Sequence, residues 1–415
     1  MTEVLVFETN QLNLLPITYT RTTFEILCGG RRQLERIVDA FGENVTFIVR
    51  DELFEIFNWR WKTNVNELPD SSSYLFINGS FLLTESELNG LKNSLDLNQA
   101  LIGSHGVVAF KVDKSKAEEI FKEKTINKTF LNKLFKKEYR WKTRVIRYLW
   151  DIINHLNELI VKDLESSKKK FKRREADKGG FPVYIGENVT IEKCVFFDCS
   201  KGPVVIEDGV EIQSFSRISG PTWIKAGSII LSALVRGGNV IGEVCKVGGE
   251  IEESIIEGYS NKAHRSYLGH SYVGEWVNIG ALTVTSDLKN TYGTIKMHIN
   301  GKKVDTGRIK LGAFIADYAK TSILTAIFSG RKIGVASHVY GVVYEDVPSF
   351  TIWAKTLGLI PVELRLESAI NTQRRMFRRR NVTQKRVHIK LLERIYKETE
   401  KERKEHGVLK EKLRF

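Results

Sequence analysis

An aliphatic or small residue recurs at every sixth position over two stretches of this chain: Ile206, Ile212, Ile218, Ile224 and Ile230, and then Ile315, Thr321, Ile327, Ile333 and Val339. A fixed short period of this kind marks a parallel β-helix, in which each repeat supplies one short strand and one corner. The repeated side chain can be buried only by the coils above and below it. Ile185-Gly186, Ile241-Gly242, Val247-Gly248, Leu268-Gly269, Val273-Gly274, Ile279-Gly280 and Ile333-Gly334 each join an inward aliphatic to a glycine. Glycine suits a corner where the turn demands a positive φ. Between the two regular stretches, residues 258–292 read GYSNKAHRSYLGHSYVGEWVNIGALTVTSDLKNTY and place His, Tyr, Asn, Lys and Asp within the same coil. Polar residues in such a stack need a reason, and this stretch is where chemistry is expected.

The chain has 415 residues, enough for two or three domains, and its hydrophobic fraction of 42% is that of a globular protein. Cys28, Cys194, Cys199 and Cys245 form no CxxC pair. MTEVLVFETN lacks a basic segment followed by an apolar run, and no apolar stretch approaches the ~20 residues of a membrane span. The expectation is a cytoplasmic protein with reduced, mostly buried thiols; a metal or redox pair at Cys194 and Cys199 is the alternative. The net charge of +14 suits polyanionic partners such as phosphorylated metabolites, or simply a solvated Lys/Arg/Glu surface.

Residues 1–165 read as an α/β domain. Val4–Phe7, Val45–Val49 and Tyr74–Ile77 are short apolar strands, with helix-like segments at Phe24–Phe41 and Lys114–Lys124. Strands alternating with helices argue for a parallel sheet, whose ligands bind beyond the carboxyl ends of the strands. The loops Glu8–Arg21 and Asn78-Gly79-Ser80 lie there. Tyr139 to Leu164 has a helical pattern. Residues 166–180, with Lys168, Lys169, Lys170, Lys172, Arg173 and Arg174, read as a basic linker. The β-helix follows over 181–355. The tail, 356–415, is helical and basic, with Arg374, Arg375, Arg378, Arg379 and Arg380 close together. It suits a cap over the open end of the β-helix, and no aromatic-and-basic module argues for nucleic acid.

Several motifs carry a family resemblance. LLPITYTR at 14–21 resembles the L-x-P-L-T-x-x-R segment of sugar nucleotidylyltransferases, and FINGSFL at 76–82 resembles the strand end where those enzymes hold a metal-binding aspartate. This chain departs from that pattern. ETNQLN replaces the glycine-rich phosphate loop, Ser80 stands in place of the aspartate, and Phe24-Glu25 stands in place of Pro-Lys. Further on, the RGG-to-VGGE run, SNKAHRSYLG, GHSYVGEWVN, SDLKNTYG and RRMFRRR resemble a divergent form of the bifunctional enzyme family that acetylates glucosamine-1-phosphate and then uridylylates it to UDP-N-acetylglucosamine. The resemblance implies a shortened nucleotidylyltransferase-like α/β domain, a left-handed parallel β-helix acetyltransferase domain and a helical tail. It also implies a homotrimer that uses acetyl-CoA, a sugar phosphate and UTP, with Mg²⁺ only if the N-terminal domain is active.

Residue by residue, the resemblance makes His264 the catalytic base. It makes Tyr267 and Asn278 sugar-phosphate contacts, together with Asp287 and Lys289, and gives Arg236 a phosphate that a guanidinium can bind bidentately. Asp287 stands where the family has an amide, and Glu252 and Glu253 stand where it has a lysine, which suits a substrate amine. Ala281 is a candidate oxyanion donor, and Lys320, Thr321 and Ala336 are candidates for the coenzyme A arm. Lys289 and Tyr292 lie on a loop, 286–292, that leaves the coil toward a neighbouring subunit. In the N-terminal domain Arg21, Asn78 and Gly79, with Arg31 or Arg32, are candidate nucleotide contacts. No metal site is expected. A zinc reading through His264, His270 and His298 leaves Tyr267, Asn278 and Lys289 unexplained. Nucleotidyl transfer alone, or non-catalytic binding of nucleotide sugars for regulation, are the remaining alternatives.

Overall fold

The computed structural model describes residues 2–42, 44–123, 126, 134–138 and 143–411. Two units make up the chain. One contains Met1–Leu14, Arg21–Ile26 and Arg31–Asp151; the other contains Leu15–Thr20, Leu27–Gly30 and Ile152–Phe415.

The first unit is built on a seven-stranded sheet in the order Asn64–Val65, Val45–Phe47, Thr2–Phe7, Ser73–Asn78, Gly106–Asp113, Gln99–Gly103, Phe135–Glu138. Its first four strands are parallel, and Gly106–Asp113 runs antiparallel to both neighbours. The apolar runs Val4–Phe7 and Tyr74–Ile77 are buried throughout, as strands covered on both faces must be. Phe76 stacks on Phe110 with ring centroids 4.7 Å apart. The helix expected from Phe24 begins only at Gln33. Before it, Thr22 and Glu25 close a 3₁₀ turn, and Gly29 at φ 85° breaks the helical path. The next helix is Lys114–Glu123; Lys124 lies outside the described residues. The pattern read as one helix from Tyr139 resolves into Leu149–Asn154 and Leu156–Ser167, and Tyr139 itself lies outside the described residues. Arg144 to Ile146 is extended, because Ile146 N–H donates to the Ser80 carbonyl and the Arg144 guanidinium to the Leu82 carbonyl.

The second unit is the β-helix. Short parallel strands stack in three ladders, and the six-residue beat walks from one ladder to the next. Ile206 therefore pairs with Ile224, Ile212 with Ile230, Ile315 with Ile333 and Thr321 with Val339. All of these side chains are buried. The glycines that follow the inward aliphatics have a different reason from the one expected. Gly242, Gly248, Gly274, Gly280 and Gly334 do not lie at positive φ; instead, a Cβ at any of them would run into the next coil, as at Gly280, where it would sit 2.5 Å from the Ser322 carbonyl. They are required by close stacking of main chains.

Part of the basic run joins this unit: Lys172–Arg174 pairs antiparallel with Val183–Ile185. The excursion from the coil is longer than the sequence suggested. It leaves at Ser286, forms the antiparallel hairpin Lys296–Ile299 and Lys302–Asp305, and returns where Leu311 N–H donates to the Asp287 carbonyl. After strand Thr351–Trp353 come the helices Leu366–Arg378, Arg386–Glu398 and Glu400–Glu405. They lie along the flank of the coils: Phe377 packs on Trp276 with centroids 4.4 Å apart, and Arg380 donates to Asn261 Oδ1 at 2.7 Å.

Candidate functional site

His264 stands in a corner, Ala263–Ser266, between strands Asn261–Lys262 and Tyr267–Gly269. Its side chain is exposed. Next along the chain, Tyr267 opens a polar cluster assembled by strand register. Glu250 pairs with Tyr267 and Glu252 with Gly269, so residues from successive coils meet on one face.

In that cluster the Tyr267 hydroxyl donates to Asp287 Oδ2 at 2.7 Å and to Glu252 Oε2 at 3.1 Å. His270, which the sequence offered only as a weak zinc ligand, turns out to be the centre of an ion network. Its Nδ1 lies 2.7 Å from Asp287 Oδ2 and its Nε2 3.3 Å from Glu253 Oε2. Burial disfavours the imidazolium, but hydrogen bonds to Asp287 and Glu253 outweigh it and raise the His270 pKa. Burial likewise opposes ionisation of Asp287, and the bonds from His270 and Tyr267 still hold its pKa below the usual carboxylate range. Burial, with Asp287 and Glu252, pushes the Tyr267 phenol well up, keeping it a donor. Arg236 Nε sits 2.5 Å from Glu250 Oε1, which makes it an ion-paired guanidinium at the cluster's edge. Arg308, from the excursion, approaches Glu253 at 4.0 Å. Lys289 donates to the Thr294 carbonyl within the excursion, and Tyr292 is exposed. The Asn300-Gly301 pair between the hairpin strands is a turn signal that would have revealed it; Asn300 and Gly301 both have positive φ.

The other candidates form a column on the adjacent ladder. Asn278 bridges Asn261 on one side and Lys320 on the other, and Lys320 pairs with His338. Continuing that register puts Ala281 in the corner stacked next to that of His264. Thr321 points inward, where its Oγ1 accepts from Gly280 N–H at 2.9 Å. The Lys320 ammonium donates to the carbonyls of Trp276 and Tyr318 at 2.9 and 3.1 Å, and burial brings its pKa down to about 7. Ala336 lines a small hollow beneath helix Leu366–Arg378 together with Tyr318, His338 and Gln373.

In the first unit, a cavity of about 750 Å³ opens at the carboxyl ends of the first two strands of the chain, lined by residues that include Glu8, Thr9, Arg50, Asp51, Asn66 and Phe121. Glu8 is paired with Arg50 at 2.6 Å. The candidate strand end is occupied by its own bonds. Ser80 Oγ donates to the Thr9 carbonyl and accepts from Thr9 N–H. Asn78 Oδ1 accepts from the Thr9 hydroxyl and Ser80 N–H, while its Nδ2 donates to the Val107 carbonyl. Gly79 N–H donates to the Phe7 carbonyl. Arg21 is buried, and its carbonyl accepts from Arg50. Residues 15–20 of the LLPITYTR segment belong to the second unit, where Thr20 Oγ1 donates to Asp317 Oδ2 at 2.7 Å. The donor set at Asn78 and Ser80 contains no carboxylate and does not fit Mg²⁺. Among the described residues no group of three His, Cys, Asp or Glu side chains could hold a metal, and no helix is long and apolar enough to cross a membrane.

Residues 4–172 match the family model described as sugar nucleotidyl transferase. The bifunctional sugar-1-phosphate nucleotidylyltransferase/acetyltransferase of Sulfurisphaera tokodaii is 39% identical over 152 residues, 35% of this chain and 38% of that protein. The bifunctional protein GlmU of Methanococcus aeolicus is 34% identical over 37% of this chain and 36% of its own length. This chain thus spans well under half the length of those two relatives. The bifunctional protein GlmU of Methanocaldococcus jannaschii is 28% identical over 299 residues, 70% of this chain and 68% of that protein. The chain is thus similar to sugar nucleotidyl transferases over residues 4–172 and, over parts of its length, to proteins named as bifunctional transferases.

Proposed function

We propose that this chain is an acetyl-CoA-dependent N-acetyltransferase acting on an amino-sugar phosphate, glucosamine-1-phosphate first, in nucleotide-sugar synthesis. The observation that carries the reading is the exposed His264 at a β-helix corner, one strand from the Tyr267, Asp287 and Glu252 cluster. The substrate amine attacks the thioester carbonyl, forming a C–N bond as the C–S bond breaks. His264 takes the proton the amine gives up and hands it to the departing thiolate, which leaves as the thiol. A positioned general base is worth about 10²–10⁴ in rate. Glu252 and Asp287 hold the amine, Asn278 and Tyr267 hold the sugar, and Arg236 exchanges Glu250 for the phosphate. Ala281 N–H faces the oxyanion. The coenzyme A arm follows the later coils past Lys320, Thr321 and Ala336.

The working unit is a homotrimer. Leu282, Val284, Ile323, Leu324, Phe328, Val342 and Tyr344 are exposed and share one ladder and its corners, where Val284, Ala326 and Val342 pair outward. A second copy of the chain covers such a face. Lys289 and Tyr292 on the excursion then reach the neighbouring subunit's site.

The bond-filled strand end at Asn78 and Ser80 favours a second reading for the N-terminal domain. It binds a nucleotide or nucleotide sugar beside Arg21, Asn78 and Gly79 without Mg²⁺-dependent uridylyl transfer. Pyrophosphate release from UTP and N-acetylglucosamine-1-phosphate would overturn this. The main test is thiol release from acetyl-CoA with glucosamine-1-phosphate. Release that requires the sugar and falls by about 10²-fold or more in His264→Ala supports the acetyltransferase; no sugar-dependent release from the folded protein sinks it.

A further inference from the structure

Lys262 occupies the place of an aliphatic residue. Its strand is in register with Val247, and the Asn261–Asn278 pairing brings Ile279 alongside it. Both neighbours are core residues, and Lys262 itself is 1% exposed. Burying an ammonium in such surroundings is costly, so stability alone would select another aliphatic side chain. The bonds of the ammonium show where that cost is used. Nζ donates to the Gly248 carbonyl on the preceding coil and to the His264 carbonyl in its own corner, each at 2.8 Å.

The glycines of the VGGE run make this arrangement possible. Gly249 has φ 75°, and a methyl group there would stand 2.8 Å from Lys262 Nζ and 2.7 Å from Ser266 N. At Gly248 a methyl group would run into the Ala263 carbonyl. The two glycines clear space for the ammonium and for the corner that carries His264. No hydrogen bond to another described residue holds the His264 ring, so the main chain sets where its Cβ stands.

We propose that Lys262 is a positioning residue for His264, tying the His264 carbonyl to the preceding coil so that the main chain and Cβ that carry the exposed imidazole stand at one place. This rests on the acetyltransferase reading, in which that imidazole takes the amine's proton. Methionine fills the same volume without the charge, so Lys262→Met is the variant to make. Its expected signature is a kcat lowered by about 10- to 100-fold, with KM for acetyl-CoA and for the sugar phosphate within about twofold and no fall in unfolding temperature. The His264 ring resonances, assigned by their loss in His264→Ala, should shift or broaden in the Met variant while the other histidines keep theirs. Unchanged kcat together with unchanged His264 resonances would overturn the proposal. So would a Met variant that fails to fold, because the lysine would then be holding the whole coil. If the wild-type protein releases no thiol, the acetyltransferase reading fails, and the ring resonances still decide whether Lys262 places His264.

Discussion

Asp287 Oδ2 accepts from the Tyr267 hydroxyl and from His270 Nδ1, each at 2.7 Å, so a single carboxylate oxygen orients a phenol and an imidazole that stand three residues apart on the preceding coil. Replacing Asp287 by Asn keeps the size and removes the charge that favours the imidazolium. The His270 titration midpoint, followed by NMR, should then fall, and kcat/KM for the amino sugar should drop by about tenfold or more. A midpoint that does not move would show that Glu253 alone sets the charge of His270.

The same ion network predicts a pH dependence of stability. The folded-state pKa of His270 is raised above its ordinary value. Its stabilising contribution is therefore complete below the unfolded value, near ~6.5, and is lost as pH rises through the folded value. The unfolding temperature of the wild type should exceed that of His270→Gln most at about pH 6, with the gap closing on the alkaline side. A gap that widens with pH would contradict the sign.

Gly280 tests the stacking argument. A Cβ there would sit 2.5 Å from the Ser322 carbonyl group, so Gly280→Ala must push two coils apart. The expected loss is about 1–3 kcal/mol, measured by denaturant unfolding. The exposed Gly301, where a Cβ meets nothing within 4 Å, serves as the comparison: its alanine variant carries only the positive-φ cost, about 1 kcal/mol.

Leu324 is 65% exposed at a corner next to the outward pairs of Val284, Ala326 and Val342. On the homotrimer proposal, Leu324→Glu should sediment as a monomer in sedimentation velocity and lose thiol release, while the circular dichroism spectrum stays unchanged. An oligomer that survives this substitution would place the subunit contact on another face.

The six-residue beat made the second unit legible, because one buried side chain per strand is a local requirement that recurs at a fixed spacing. The beat carried Ile206 and Ile224 into one ladder and Ile212 and Ile230 into another. The excursion extends beyond the loop 286–292 because Asn300-Gly301 turns a hairpin whose strands pair only with each other. The helix expected from Phe24 starts only at Gln33: Phe24, Ile26 and Leu27 are buried, but on a 3₁₀ turn and the extended segment after it rather than on a helical face. His264 and Tyr267 stand out in sequence because they lie in one short motif. His270 does not, because its partners Glu253 and Asp287 are 17 residues away in either direction and come together only when the coils stack.

By itself, the sequence determined that this chain winds a β-helix after an α/β domain, because strand spacing and aliphatic phase are properties of neighbouring residues. It also marked where polar chemistry interrupts the beat. Only the tertiary structure decided that the imidazole of His270 is clamped between two carboxylates, that Ser80 and Asn78 have spent their polar atoms on each other and on Thr9, and that an interior ammonium at Lys262 reaches the His264 carbonyl. Those facts depend on which coil lies above which, and register between coils is set by packing across the whole stack rather than by any one repeat.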